Sequence, residues 1–125
     1  MASEVTGTPS LGGFSPTELH TRHLSENQVE AWAMEETRRI VLEAIGSRPI
    51  DAYLFGSRAR GDFRSSSDID LALEARDHTI SINWLAELRE KLELSLIPYH
   101  VEIIDLSQAS SGLVEAIRAE GIKWT

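Results

Sequence analysis

Gly56-Ser57-Arg58-Ala59-Arg60-Gly61-Asp62-Phe63-Arg64-Ser65-Ser66-Ser67-Asp68-Ile69-Asp70-Leu71 is the stretch on which the reading of this chain turns. A Gly-Ser pair is separated by ten residues from an Asp-x-Asp pair, which stands at the head of the apolar run Ile69 to Leu73. Residues two apart on a β-strand point to the same face, so Asp68 and Asp70 present both carboxylates together. At roughly 6 Å the two charges repel by about 3 kcal/mol at an effective dielectric of ~20. A charge inside an apolar strand is also costly without a partner. Both costs fall if a cation lies between the carboxylates, and oxygen-only ligands of this kind suit Mg²⁺ or Mn²⁺ together with substrate phosphates. Upstream, Gly56 lets backbone amides approach a phosphate and Ser57 adds a hydroxyl donor. Arg58 and Arg60 offer charge-assisted contacts to phosphate oxygens. One β-loop-β unit thus combines a phosphate loop with a metal site.

Outward from this unit the pattern predicts a single domain. Ser25 and Gln28 form a capping box, with Leu24 and Val29 at the positions of a hydrophobic staple. The helix they open runs to about Ile45 and stops at Gly46. Ile50 to Phe55 reads as a buried strand and Ile69 to Leu73 as a second. Asn83 to Leu94 has Leu85, Leu88 and Leu92 on an inner face, beside Trp84. Tyr99 to Leu106 is a third strand, Leu113 to Glu120 a short helix, and Ile122 to Trp124 a small final strand. The expected fold class is α+β, a small mixed β-sheet with helices packed mainly on one face. Residues 1–24, rich in Ser, Thr, Gly and Pro, read as a flexible tail, and 25–125 as the domain.

A third acid completes the chemistry. Glu102 lies in Val101-Glu102-Ile103-Ile104, another carboxylate within an apolar strand. Asp105 is the fallback, at the strand end and on the opposite face. Three acids suit a displacement at phosphorus in which metal ions clamp the attacking and leaving oxygens and a carboxylate helps deprotonate the acceptor. His20 and His23 fall in the tail, His78 in a loop, and His100 flanks the strand that carries Glu102.

The chain has 125 residues, 42% hydrophobic and 26% charged, with a formal net charge of −8. The negative balance argues against general nucleic-acid binding, which wants a basic face. It does not oppose a nucleotide whose phosphates are met by a metal ion and local arginines. There are no cysteines, so disulfides and thiolate zinc sites are excluded. No apolar run reaches the ~20 residues that span a bilayer, and the N-terminus lacks a secretory pattern. A cytoplasmic protein without membrane association is expected.

Gly56-Ser57, ten residues, Asp68-x-Asp70 and a later acid resemble the polymerase-β-type nucleotidyltransferase superfamily. The wording Gly56-Ser57-Arg58-Ala59-Arg60-Gly61-Asp62 and Ser67-Asp68-Ile69-Asp70-Leu71 is similar to its minimal nucleotidyltransferase (MNT) branch, antitoxin-type partners of HEPN-domain toxins. The resemblance covers about Glu26 to Trp124. It implies a polymerase-β-like core, Mg²⁺ and ATP, and transfer of AMP to a protein hydroxyl, a tyrosine of the cognate HEPN toxin, by an antitoxin of the type VII kind. Carried over, Gly56 and Ser57 would hold the triphosphate, and Asp68, Asp70 and Glu102 would be metal-binding or catalytic. With Arg58, Arg60 and Ser67 added, the expected nucleotide-binding set is Gly56, Ser57, Arg58, Arg60 and Ser67. The family often has Asp where this chain has Glu102, one methylene longer.

Two other classes fit the same residues. One is an antitoxin that neutralises by contact alone, although pure binding has no need of paired acids. The other is a small-molecule nucleotidyltransferase of the aminoglycoside-modifying kind, which carries an added helical domain. The sequence ends almost where the core does, so a protein acceptor, or one supplied across an oligomer, is expected. A first prediction follows from the carboxylate pair. ATP and Mg²⁺ bind together and only weakly apart, because the acids repel phosphate unless a cation bridges them. Calorimetry with Mg²⁺ and with EDTA tests this, and equal affinity in both would remove the bridging argument.

Overall fold

The structure, a computed structural model, describes residues 25–64, 66–77 and 79–125. The expected tail, with His20, His23 and Leu24, lies outside the described residues, as does His78. Helix α1 spans Glu26–Ile45 and opens on the capping box read from the sequence. The Gln28 amide donates to Ser25 Oγ at 3.2 Å and the Ser25 amide to Gln28 Oε1 at 2.9 Å. Strand β1 (Ile50–Phe55) leads through the one-turn helix α2 (Ser57–Arg60) to β2 (Ile69–Ala75). Helix α3 (Ile82–Glu93) precedes β3 (Val101–Asp105), a 3₁₀ turn Leu106–Gln108, α4 (Ser111–Glu120) and β4 (Ile122–Lys123).

The strands lie in the order β3-β2-β1-β4. β1 is antiparallel to β2 and β4, whereas β2 and β3 are parallel. Alternation along the strands sorts residues onto two faces. On one, Ala52 and Leu54 of β1, Ile69, Leu71 and Leu73 of β2 and Ile103 of β3 are buried beneath Val41 and Ile45 of α1 and Leu85, Leu88 and Leu92 of α3. The other carries a smaller cluster of Ala72, Leu106 and Ile117, with Tyr53, Phe55, Ile104 and Leu113 packed around it. The two long helices therefore share a face, as expected, and the short α4 shields part of the opposite one. The polar group inside α1 is satisfied, since Thr37 Oγ1 donates to the Ala33 carbonyl at 2.7 Å.

The sheet is the mixed, helix-covered arrangement expected, with small shifts at element ends. β3 is shorter than the run Tyr99 to Leu106, because Pro98 to His100 approach the sheet as coil and Leu106 turns into the 3₁₀ segment. α3 and α4 begin earlier than expected, at serines whose hydroxyls cap them, Ser81 accepting from Trp84 N and Ser110 from Leu113 N. No helix among the described residues is long and apolar enough to cross a membrane.

Leu88 is 1% exposed at the centre of the larger core. Leu88→Ala should cost about 2–5 kcal/mol through lost transfer energy and the cavity left behind. Urea unfolding of both proteins measures it, and a cost under about 1 kcal/mol would mean that this site collapses freely.

Candidate active site: three carboxylates beside a glycine turn

β1 ends at Gly56, whose φ of 78° and ψ of −157° belong to a region that only glycine enters readily. A β-carbon there would also run into the Asp70 carboxylate, since Phe55 pairs with Asp70 in the ladder. The glycine turn is thus packed directly against the middle acid. Gly56 opens α2, and Gly61, at φ 88°, closes it, its amide donating to the Ser57 carbonyl at 2.8 Å. The first amides of a helical turn have no partner inside it. Those of Ser57 and Arg58 therefore stand as donors at the same end of the sheet as the acids.

The parallel register pairs Asp70 with Glu102 across β2 and β3. Asp68 precedes β2 by one residue and is exposed, whereas Asp70 is half-buried. The register sets Glu102 beside Asp70, and the charges of both Asp68 and Glu102 act on the Asp70 carboxyl. Burial, first, and then the charges of Asp68 and Glu102 raise the Asp70 carboxyl above its ordinary range, while Arg58 and His100 oppose the shift. His100 Nε2 lies 3.1 Å from Glu102 Oε1, so an imidazole borders the cluster. Asp105 is engaged elsewhere: its Oδ1 accepts from Ser107 N at 3.0 Å and Ser107 Oγ at 2.9 Å, capping the 3₁₀ turn.

The expected nucleotide-binding residues separate into two groups. Gly56 and Ser57 stand at the turn beside the acids. Arg58 does not face them as a free phosphate donor; its side chain is 1% exposed and ion-paired with Glu30 of α1 at 2.7 Å. The expectation of a phosphate contact is corrected for this residue, because burial and fixed partners have claimed its donors. Arg60 is exposed, 3.2 Å from Asp62 and 3.7 Å from Glu120. Ser67 builds a local turn, its Oγ accepting from Arg64 N and its amide donating to the Arg64 carbonyl, both at 2.9 Å. Nothing in the local sequence pointed to Glu30, 28 positions from Arg58, or to Tyr99 and Phe63, whose rings flank the guanidinium.

Among the described residues no three of His, Asp and Glu are drawn into a ready-made metal cluster. The donor set nonetheless fits Mg²⁺, which is held by one or two carboxylates and completed by phosphate and water. The raised Asp70 carboxyl is that of a group short of positive charge. Two clefts, of about 390 and 1250 Å³, flank β3, and Glu102 and Arg89 line both. Asp68, Asp70 and Gly56 line neither and stand on the open face.

The raised carboxyl makes Asp70 a stability liability without metal. Protonation relieves burial and repulsion in the folded state, so stability falls as pH rises from the ordinary value of 3.8 through the raised one. Asp70→Asn should therefore raise the Tm at pH 7 in EDTA, with the gain fading below pH 3.8. Thermal melts across pH measure this; a variant no more stable than wild type at pH 7 would contradict it.

Comparison with known proteins agrees with this geometry. The family described as "Polymerase beta, Nucleotidyltransferase" matches residues 43–123. Protein adenylyltransferase MntA of Shewanella oneidensis is 39% identical over 70 residues, which are 55% of this chain and 48% of that protein. The chain thus spans about half the length of this curated relative. A crystal structure of a toxin-antitoxin with AMP-PNP superposes with a TM-score of 0.57 at 28% identity, covering 70% of this chain and 72% of that one. A structure of the tri-AMPylated Shewanella oneidensis HEPN toxin in complex with MNT antitoxin gives 0.54 at 25% identity, covering 81% and 72%. With glycine turn, paired aspartates and third acid all inside the matched span, this chain belongs to the polymerase beta nucleotidyltransferase family.

Proposed function

We propose that this chain is a Mg²⁺-dependent nucleotidyltransferase that moves AMP from ATP to a protein hydroxyl, a tyrosine of a cognate HEPN toxin, and so acts as its antitoxin. The observation that carries the reading is the register that stands Asp70 between Gly56 and Glu102, with the charge of Asp68 acting on it. Support comes from a relative named as a protein adenylyltransferase and from a similar structure in which an MNT antitoxin accompanies an AMPylated HEPN toxin. The similar complex with AMP-PNP supports ATP as the donor. In this reading residues 25–125 are the catalytic domain, 1–24 a tail, and the protein works in the cytoplasm, where ATP and its partner meet.

In the proposed mechanism Gly56 leaves room for the triphosphate, and the Ser57 hydroxyl and amide donate to its oxygens. Asp68 and Asp70 would hold the divalent cation, which would supply positive charge to screen the phosphates and polarise the α-phosphorus. Glu102 accepts the proton of the acceptor hydroxyl. A bond forms from that oxygen to the α-phosphorus as the bond to the β-phosphate oxygen breaks, and pyrophosphate leaves. Such catalysis is mostly positioning and charge stabilisation, so an acceptor that is not held in place forfeits much of the rate.

The purified protein should therefore turn over little ATP alone and should label a HEPN toxin when given labelled ATP and Mg²⁺. Mass spectrometry should find the added AMP on a tyrosine. Asp70→Asn should lose transfer by about 10²-fold or more, and Glu102→Gln by an amount within the general-base range of about 10²–10⁴. Near-normal transfer by Asp70→Asn would mean that the carboxylates have been misassigned. Neutralisation of the toxin by an Asp68→Asn/Asp70→Asn double variant would favour contact alone, and labelling of free aminoglycosides without any protein would favour a small acceptor.

A further inference from the structure

The Arg58 guanidinium is enclosed to a degree that a phosphate-binding arginine is not. Nε and Nη2 donate to the two oxygens of Glu30 at 2.7 and 3.0 Å, a fork-to-fork pair with α1. Nη1 donates to the backbone carbonyls of Ser67 and Asp68, the latter at 2.8 Å. The rings of Phe63 and Tyr99 flank the guanidinium, 4.9 and 4.6 Å from its central carbon. These partners belong to α1, to the loop that returns to β2, and to the coil leading into β3. One side chain from the glycine turn therefore ties together every segment that delivers an acid.

We propose that Arg58 is a positioning residue, which fixes the backbone of Ser67 and Asp68 so that the Asp68 carboxylate meets the cation and nucleotide at a set place. The proposal rests on the functional reading of the acids given above. Asp68 lies outside the ladder, and the first β2 bond to β3 is Ile69 N to the His100 carbonyl at 2.9 Å. Ser67 is held otherwise by its own turn with Arg64, a residue of the same loop. The guanidinium is the described group that anchors both carbonyls to the body of the domain. A lysine cannot replace it, because an ammonium lacks the planar fork and the faces that stack on rings. Arg58 also brings a positive charge toward Asp70, offsetting part of the repulsion among the acids.

Three variants test this: Arg58→Lys, Glu30→Gln, which keeps the bond but not the charge, and Leu88→Ala as a purely structural control. Amide exchange at Ser67 and Ile69 is followed in metal-free, nucleotide-free protein, Mn²⁺ affinity by electron paramagnetic resonance, and transfer by kcat and KM for ATP, all well below each Tm. Arg58→Lys should speed exchange at both amides about tenfold, weaken Mn²⁺ about tenfold and lower kcat about 10²-fold, with KM within about threefold of wild type. Glu30→Gln should move every readout the same way by less. Leu88→Ala should leave Mn²⁺ affinity, kcat and KM within about threefold of wild type, although its Tm falls at least as far. It should speed exchange at Ser67 and Ile69 no more than at the buried amides of Leu71 and Ile103. A raised KM with kcat kept would overturn the proposal in favour of direct phosphate contact. Unchanged exchange in Arg58→Lys, or the same loss of Mn²⁺ affinity and kcat in Leu88→Ala, would overturn it outright. Should wild type transfer no AMP, the functional reading fails, and exchange at Ser67 and Ile69 still decides whether Arg58 holds this backbone.

Discussion

Asp70 stands in the ladder between Phe55 on one side and Glu102 on the other, and a slip of one residue on either side would turn a carboxylate into the apolar layer. That register is held from the opposite face of the sheet. Ile69, Leu71 and Ile103 are at most 1% exposed, and each would lose its place in the core if its strand shifted. The hydrophobic layer thus sets the spacing of the charges, which left to themselves would move apart. The geometry also explains why Gly56 admits no other residue. The ladder brings its backbone against the middle carboxylate, and there is no space for a β-carbon.

The arrangement separates what stabilises the domain from what gives it an activity. Helices α1 and α3 bury one face, and α4 covers only part of the other, around Ala72 and Ile117. Asp68, Asp70 and Glu102 are left with access to solvent and ligands at the uncovered end. His100 adds an imidazole to the border of the cluster at 3.1 Å from Glu102, a neighbour supplied by the same two-residue alternation that aligns the acids.

Much of this could be read from the chain itself. The capping box at Ser25 and Gln28, the strand Ile50–Phe55 and the grouping of Asp68, Asp70 and Glu102 rest on periods of 3.6 and 2 and on local caps, which are written in contiguous residues. Element ends were less legible at Ser81 and Ser110, where a capping serine outranked the apolar pattern that follows it. Arg58 was misread because its neighbours in sequence describe a phosphate loop, whereas its partners Glu30 and Tyr99 lie 28 and 41 positions away. A contact between distant segments leaves no periodic trace, and burial of an arginine is invisible until the fold that buries it is known.

The short strand β4 has a consequence for biosynthesis. β1 lies inside the sheet only because Tyr53 and Leu54 pair with Lys123 and Ile122, and because Trp124 N donates to the Ala52 carbonyl at 2.8 Å. Thr125 extends the seam, its hydroxyl donating to Asp51 Oδ1 at 3.1 Å. On the ribosome β1 and β2 emerge close together, but the residues that cover the other side of β1 are made some seventy positions later. Until then the nascent domain carries an open strand edge next to apolar surface, the kind of edge that recruits other chains. For this domain the β1 edge is most open to other chains before Ile122–Trp124 are made, and their pairing closes that stretch of it.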